Sequence, residues 1–274
     1  MSNVENRRFW VSADIGPFCT PKMIREVYGE YVGGVEAMGW FWCSWFLELC
    51  KKEDMKVRRI HGRIGNPLGK RGIEDSLKVH AINSAMVNSR HLIELARRFG
   101  IRDILVHTSE ADSQFNNLRN FEGGTVWVEN DISFTSGLGA AFDVAKALAR
   151  TGQKAGVTGD VGHFGLTFGI LADPNQTMGH FITDFSRNGG LIANEVEKDI
   201  HLPINYAWDN GSINLGDVRD QTLKSLFALG HVITIENQVG PLQAMQPRFM
   251  KSHIESTKIQ LARLCGFGRN NPDF

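Results

Sequence analysis

The stretch Gly156–His163, with the sequence GVTGDVGH, sets the pattern around which the rest of the chain is organised. A short β-branched run is followed by Asp160-x-x-His163, with glycines on both sides. A strand that stops and turns here would place Asp160 and His163 in one space beyond its end, where a carboxylate and an imidazole suit a metal ion or a polar substrate. The alternative is that Asp160 only forms a turn and His163 lies at the surface.

The composition is that of a globular protein with no strong overall charge. The chain has 274 residues, with 30 Lys and Arg against 30 Asp and Glu, and 42% of its residues are hydrophobic. Zero net charge argues against a protein that binds nucleic acid or membranes mainly by electrostatics, although a local basic patch would be compatible with it. The length is ordinary for one α/β barrel.

Three further features predict a cytoplasmic location with no membrane span. No run approaches the ~20 apolar residues that a transmembrane helix needs. The polar segment Met1–Arg8 lacks the apolar core of a signal peptide. The four cysteines show no paired CxxC spacing, which predicts reduced thiols in place of a zinc knuckle or a disulfide framework.

Short β-like runs alternate with helical patterns along almost the whole chain. The predicted strands are Phe9–Asp14, Trp40–Trp45, Val57–His61, Ile101–His107, Thr125–Glu129, the Val157 segment, Pro203–Trp208 and His231–Glu236. The predicted helices run from Pro21, over Phe46–Lys52, from Asp75 or Ser76 to Phe99, over Ser136–Arg150, over Asp217–Leu229, and over Pro241–Cys265 with an interruption at Pro247. Gly100 and Gly152 are predicted to end the third and fourth of these helices. Gly62–Gly69 is predicted to be a loop, and the Phe-rich loop His163–Phe168 is compatible with lining a pocket or an interface. This order predicts an α/β fold, a single (β/α)8 TIM barrel spanning residues 1–274, and the first strand lacks the glycine fingerprint of a doubly wound sheet.

Polar residues follow several of the predicted strands, where barrel enzymes carry their chemistry. These residues are His61, His107, Glu129, Asp160, His163, Asp209 and Glu236. Carboxylates that converge after buried runs would repel each other unless a cation neutralises them, so the pattern predicts a divalent metal. Each residue also has a structural interpretation, since Glu129 or Glu236 could cap a helix and His61 or His107 could be a hydrogen-bonded core histidine.

The chain resembles the xylose isomerase-like barrels, which include sugar-phosphate isomerases and epimerases and the endonuclease IV group. The motifs that carry the resemblance are His61-x-x-x-x-Asn66-Pro67, the strand ending in His107, Val128-Glu129-Asn130, Asp160-x-x-His163, Tyr206-x-x-Asp209-Asn210 and Ile235-Glu236-Asn237. The resemblance implies a divalent metal (Mn, Zn, Fe or Co) held by Glu129, Asp160 and Glu236, with His163 beside it as a ligand or as a group that polarises a substrate oxygen. It also implies that Glu129 and Glu236 act as an acid–base pair.

One position departs from the family pattern. The family carries a metal-ligating His on strand seven, and Tyr206 occupies that position in the predicted alignment. A neutral phenol is a poor ligand for a hard divalent ion. The departure leaves three alternatives for the site. The metal could have three protein ligands and water, it could recruit Asp209 or a nearby His as a ligand, or the site could be degenerate and bind no metal.

Three functions are compatible with these residues. The first is an isomerase or epimerase of a small sugar, polyol or sugar phosphate, acting by proton transfer through an enediolate. Its substrate would contact His61, Arg63, His107, Tyr206 and Asp209, with Lys70 and Arg71 near a phosphate or carboxylate. The second is a metal-dependent phosphodiesterase on abasic DNA like the endonuclease IV group, which the neutral charge disfavours. The third is a non-catalytic barrel subunit, and a homo-oligomer is compatible with all three.

Overall fold

The computed structural model describes residues 9–12, 20–29, 33–39, 43–62, 89–131, 137–190, 196–204, 212–229, 231–237 and 247–269. Within these residues eight parallel strands form a closed barrel in which each strand pairs with the next and the last pairs with the first. The strands are β1 (Phe9–Ser12), β2 (Val35–Met38), β3 (Val57–His61), β4 (Asp103–His107), β5 (Thr125–Glu129), β6 (Lys154–Asp160), β7 (Glu197–Pro203) and β8 (Val232–Glu236). The predicted (β/α)8 barrel is confirmed.

Helices connect the strands and cover the outside of the barrel. They are α1 (Pro21–Tyr28), α2 (Cys43–Lys52), α3 (Ser89–Phe99), α4 (Thr108–Ser113), α5 (Phe115–Leu118), α6 (Gly137–Arg150), α7 (Val161–Phe168), α8 (Pro174–Gly190), α9 (Asp220–Ala228) and α10 (Pro247–Arg269). A short 3-10 turn, Leu215–Asp217, precedes α9. Across the described residues no helix is both long and apolar enough to cross a membrane.

Local sequence signals explain several helix ends. Pro21 lies in the first turn of α1, where its missing N–H leaves no hydrogen bond unmade, and the Thr20 side chain accepts a hydrogen bond from the Met23 N–H. Gly100 and Gly152, which were predicted to close α3 and α6, adopt left-handed conformations with φ of 67° and 87°. A residue with a side chain is disfavoured there, so these two glycines stop the helices.

The two faces of the strands have opposite chemistry. Outward-facing residues such as Ile60, Val157 and Ile200 are fully buried in the hydrophobic core between the strands and the helices. The intervening residues face the barrel axis, as shown by the ion pair between Arg59 on β3 and Asp199 on β7, which joins strands that are not neighbours in the sheet. The barrel interior is therefore polar and charged.

The predicted second strand was wrong. Trp40–Trp45 was predicted as a strand from its aromatic content, but β2 is Val35–Met38 and residues 43–52 form α2. The buried residues Cys43, Phe46, Leu47 and Cys50 have the spacing of one helix face, and Trp45 on the opposite side is 49% exposed. Local aromatic content favoured a strand, but burial of the helical stripe against the barrel decided the structure.

The predicted seventh strand was also wrong. Pro203–Trp208 was predicted, whereas β7 is Glu197–Pro203 and residues 205–210 lie outside the described residues. The β7 sequence EKDIHLP looks too charged for a buried strand, because strands of parallel barrels usually read as apolar runs. Its charged residues are nevertheless buried, because Asp199 and His201 face a polar interior while Ile200 and Leu202 face the helices.

Smaller differences concern helix bounds and loops. The segment His163–Phe168, interpreted as a possible pocket or interface loop, belongs to α7. Pro247 begins α10, so it does not interrupt a longer helix within the described residues. The predicted loop Gly62–Gly69 beyond Gly62 and the predicted caps Asp75 and Ser76 lie outside the described residues.

Candidate metal centre

Ionisable side chains from seven strands meet inside the barrel near its carboxyl-terminal end. His61, His107, Glu129, Asp160 and Glu236 are each the last residue of their strands. The register pairs His107 with Glu129 and Asp160 with His201, so the residues follow one another around the barrel wall. Glu36 on β2 joins them, and all seven of these side chains are buried. Barrel enzymes carry their chemistry at this end of the strands.

Glu129 lies at the centre of the cluster. Its Oε2 atom is 3.0 Å from His61 Nε2 and 3.3 Å from His107 Nε2. Its Oε1 atom is 3.0 Å from His201 Nδ1 and 3.8 Å from His163 Nδ1. One fully buried carboxylate therefore contacts imidazoles from four different elements.

Two arginines of β3, Arg58 and Arg59, form ion pairs with the acidic residues Glu36 and Asp199 beside the cluster. The Arg59 Nε atom donates to Glu36 Oε2, and its Nη1 atom lies 2.8 Å from Asp199 Oδ2. Arg58 reaches the same Asp199 oxygen at 2.6 Å. Arg59 is completely buried and also donates to Thr158 Oγ1 at 3.1 Å. A buried guanidinium needs such partners, because an unpaired buried charge costs several kcal/mol, of the order of ~3–5.

Asp160 is held at the junction of β6 and α7. Its Oδ1 atom accepts a hydrogen bond from the His163 N–H at 2.5 Å and caps α7. The Asp160 N–H donates to Asn130 Oδ1 at 2.7 Å, and Asn130 Nδ2 donates back to the Asp160 carbonyl oxygen at 3.2 Å. The alternative interpretation of Asp160 as a cap is therefore correct for Oδ1. Its Oδ2 atom, by contrast, is buried and forms no hydrogen bond among the described residues.

The four imidazoles each have an acceptor on one side of the ring. His163 Nδ1 lies 2.9 Å from the Asn130 carbonyl oxygen, and His107 Nδ1 lies 3.6 Å from Glu110 Oε2. His61 Nδ1 lies 3.0 Å from Glu36 Oε1, and His201 Nε2 lies 3.3 Å from Glu36 Oε2. In a neutral ring, an acceptor beside one nitrogen favours the proton there and leaves the other nitrogen available as a metal ligand.

Many of these atoms are close together without being hydrogen-bonded to each other. Among the described residues, buried side-chain atoms that form no hydrogen bond include Glu36 Oε1, both ring nitrogens of His61 and of His107, Glu129 Oε2 and Asp160 Oδ2. Two ligands about 2.1 Å from one ion and about 90° apart would themselves be about 3.0 Å apart. Short contacts that lack hydrogen-bond angles are therefore the pattern expected for side chains that surround a cation.

Among the described residues, three groups of side chains could each surround an ion, because within each group the ligand atoms lie no more than 4.8 Å apart. The groups are Glu36–His61–His201–Glu236, His61–His107–Glu129, and Glu129–Asp160–His201–Glu236. Imidazole nitrogens and carboxylate oxygens together suit Mn, Fe, Co or Zn better than Ca or Mg, which prefer oxygen alone. The donor set therefore fits a divalent transition metal.

The buried charges shift each other's proton affinities. Burial lowers the pKa of His61, but the Glu129 carboxylate, helped by Glu36, outweighs it and raises the pKa to about 9. Burial raises the pKa of Glu236, but His201 beside it lowers the pKa to about 2. Burial, together with the nearby Glu236 and Glu129 carboxylates, raises the pKa of Asp160 well above its usual value. Several carboxylates in one buried space compete for too few protons and cations, which a metal would relieve.

The structure brings together most of the residues singled out from the sequence. His61, His107, Glu129, Asp160, His163 and Glu236 all lie in the cluster. Arg63, Tyr206 and Asp209 lie outside the described residues, so their predicted substrate contacts stay predictions.

Three residues of the cluster were missed. His201 was missed because the seventh strand was predicted six residues too late. The inferred loss of the strand-seven histidine to Tyr206 is wrong, because β7 carries His201, whose Nδ1 atom contacts Glu129 in the cluster. Glu36 and Arg59 were missed because neither follows an apolar run. The alternation in Asp199-Ile200-His201-Leu202 was the one signal that could have revealed β7.

No protein-family model matches the chain, and no curated protein matches it. Similar solved structures include a xylose isomerase domain-containing protein from Salmonella typhimurium LT2, with a TM-score of 0.54 and 12% identity over 96% of this chain and 99% of that one. A D-psicose 3-epimerase crystallised with D-fructose has a TM-score of 0.53 and 11% identity, covering 93% and 97%. A D-psicose 3-epimerase from Clostridium cellulolyticum H10 with D-tagatose has a TM-score of 0.53 and 10% identity, covering 96% and 98%. The similarity to these structures is one of fold: the chain shares their TIM-barrel architecture.

Proposed function

We propose that the protein is a metal-dependent isomerase or epimerase of a small sugar, polyol or sugar phosphate. The observation that carries the proposal is the convergence of Glu129, Asp160, His201 and Glu236, whose ligand atoms lie within 4.8 Å of one another in a buried space at the strand ends. Such a cluster of buried ionisable groups is costly to maintain in a fold unless it serves binding or catalysis.

The same four residues are the proposed metal ligands. His201 supplies the imidazole that was thought to be lost, and Asp160 Oδ2 is available because only Oδ1 is used in capping α7. His163 stays beside the site, and because its Nδ1 is paired with the Asn130 carbonyl, we assign it to orienting a substrate oxygen. A bound divalent ion would supply Lewis acidity, which acidifies a carbon-bound proton next to a carbonyl group.

Glu129 and Glu236 are the proposed acid–base pair. Both carboxylates contact His201 Nδ1, Glu129 at 3.0 Å and Glu236 at 2.9 Å. Glu129 lies on β5 and Glu236 on β8, the strands that flank the β6–β7 pair. A substrate carbon between them would face one carboxylate on each side, so one could remove a proton and the other could return it. Burial excludes bulk water, which would otherwise compete for that proton.

Proton exchange into sugars tests the proposal directly. The protein, loaded separately with Mn, Co, Zn or Fe, is incubated in D2O with D-fructose, D-tagatose, D-psicose and their phosphates, and deuterium at the carbon-bound positions is followed by NMR. We expect exchange with at least one sugar, and loss of exchange in Glu129→Gln and Glu236→Gln. Glu48→Gln is the matched control, since Glu48 lies on α2 and is exposed, where it pairs with Arg98 of α3. A metal-loaded protein that exchanges none of these protons would overturn the proposal.

A second candidate function is phosphodiester hydrolysis. The groups His61–His107–Glu129 and Glu129–Asp160–His201–Glu236 share Glu129, whose two oxygens face different histidines. A carboxylate shared in this way can bridge two ions, and paired metal ions are typical of enzymes that displace phosphate esters. The test is cleavage of a duplex containing one abasic site with two metal equivalents added; absence of cutting with both metals bound removes this candidate.

A further inference from the structure

We infer that Glu36 is a positioning residue that holds His61 and His201 by their rear nitrogens, and that it thereby aims His201 at the proposed metal and His61 at the Glu129 carboxylate. The inference rests on the proposed metal centre and goes beyond it, because the family resemblance assigns nothing to β2. Glu36 is fully buried, yet the sequence around it, Val35-Glu36-Ala37-Met38, is otherwise apolar. A carboxylate in such a strand is expensive unless its two oxygens have partners.

The two oxygens of Glu36 face two different rings. Oε1 lies 3.0 Å from His61 Nδ1, and neither atom forms a hydrogen bond among the described residues, so each is the nearest polar partner that the other has for one. Oε2 lies 3.3 Å from His201 Nε2. The opposite nitrogens, His61 Nε2 and His201 Nδ1, each lie 3.0 Å from Glu129 and so point into the centre of the cluster.

Glu36 could instead be a metal ligand, since it belongs to one of the three ligand groups. The charges around it favour the positioning role. Arg59 donates to Glu36 Oε2, and its guanidinium therefore lies next to the place that an ion bound to Glu36 would occupy. A second cation beside a buried guanidinium would be repelled strongly, whereas imidazole N–H groups would not be.

Arg59 also selects the form in which His201 is held. Its Nη2 atom lies 2.5 Å from His201 Nε2, so the neutral metal-free ring can accept a hydrogen bond from Arg59 at Nε2 and carry its own proton on Nδ1. Metal binding at Nδ1 requires the other tautomer, with the proton on Nε2, and Glu36 Oε2 is the group placed to accept it. Arg59 keeps its bonds to Glu36, Asp199 and Thr158 in both forms.

Metal affinity in Glu36→Gln tests the inference. The Gln side chain keeps the shape of Glu but replaces one acceptor oxygen with an NH2 group. One of the two rings then faces a donor, so its N–H group loses the acceptor that Glu36 provides. We expect Zn2+ and Co2+ to bind ~10–100-fold more weakly, as for loss of other groups that orient metal ligands, with the number of ions per chain unchanged. Chelator competition measures the affinity, the Co2+ absorption spectrum reports ligand geometry, and Glu48→Gln is the control.

Two further measurements keep the test decisive if Glu36→Gln folds poorly. Glu36→Asp keeps the charge and the Arg59 pair but is too short to reach both rings, so its affinity should lie between those of the wild type and Glu36→Gln. In the wild-type protein, 15N NMR of the imidazoles should show His201 protonated on Nε2 in the Zn2+ form.

Different failures point to different errors. Equal affinity in the wild type and Glu36→Gln, or His201 protonated on Nδ1 with Zn2+ bound, would overturn the inference. Loss of a whole ion per chain in Glu36→Gln would also overturn it, because Glu36 would then be a ligand. A wild-type protein that binds metal but exchanges no sugar protons contradicts the proposed function and leaves the inference intact.

Discussion

The substitution Glu129→Gln in the metal-free protein tests the electrostatic description of the cluster. Glu129 is the largest influence that raises the pKa of His61 against the effect of burial, and its Oε2 atom lies 3.0 Å from His61 Nε2. Gln has almost the same shape but no charge. We therefore expect the pKa of His61 to fall from about 9 toward or below its ordinary value of 6.5.

The size of the effect follows from linkage. The interval from 6.5 to about 9, at about 1.36 kcal/mol for each pKa unit, corresponds to about 3 kcal/mol of stability in the metal-free wild type. Because the folded-state pKa is raised, this stability is fully present below about pH 6.5 and is lost as the pH rises through about 9. The pKa of His201 is also raised, against burial, by Glu36, Glu236 and Glu129, so it changes stability in the same direction.

The assay is urea unfolding of the metal-free wild type and Glu129→Gln at about pH 6 and about pH 10, with His61 followed by NMR titration. The wild type should lose stability over this range, and the variant should lose about 1–3 kcal/mol less of it. Glu48→Gln should behave as the wild type. A wild-type His61 that titrates near 6.5, or a variant with the same pH dependence as the wild type, would refute the reasoning.

Three other expectations follow from the same geometry. Asp160→Asn should keep the cap on α7, since Asn caps as well as Asp, so the free energy of unfolding in urea should change by less than about 1 kcal/mol. Metal content measured by elemental analysis should fall in this variant, and full metal content would contradict the expectation. Metal affinity measured by chelator competition should rise with pH, because the carboxylates of Glu36, Glu236 and Glu129 raise the pKa of His201, which must lose a proton to bind the ion, and an affinity independent of pH would contradict this. Gly159→Ala would place a Cβ 2.7 Å from the Phe185 ring and should cost about 1–3 kcal/mol in urea unfolding. Gly179→Ala, which meets nothing within 4 Å in α8, is its control and should be stabilising by about 0.5–1 kcal/mol.

Local patterns in the sequence were sufficient for several elements. The bounds of β3 and β5 were predicted at Val57–His61 and Thr125–Glu129, as the structure has them, because each segment contains β-branched residues and ends in a polar residue. Gly100 and Gly152 were recognised as helix stops, because their left-handed conformations leave a local signature. Helix α8, by contrast, was not predicted, since its long run of polar residues hides the buried stripe of Met178, Phe181 and Phe185.

The alternation of eight strand-like runs with helical patterns by itself predicted the barrel, and with it that acids and histidines at distant strand ends meet at one rim. Only the tertiary structure decided which segment forms the seventh strand, and that Glu36, Arg59 and His201 complete the cluster. The physical reason is that these strands present charged side chains to an interior that is polar only after the barrel has closed. Hydrophobic patterning along one strand cannot show that its charges will be neutralised by residues more than 100 positions away, as Arg59 is by Asp199.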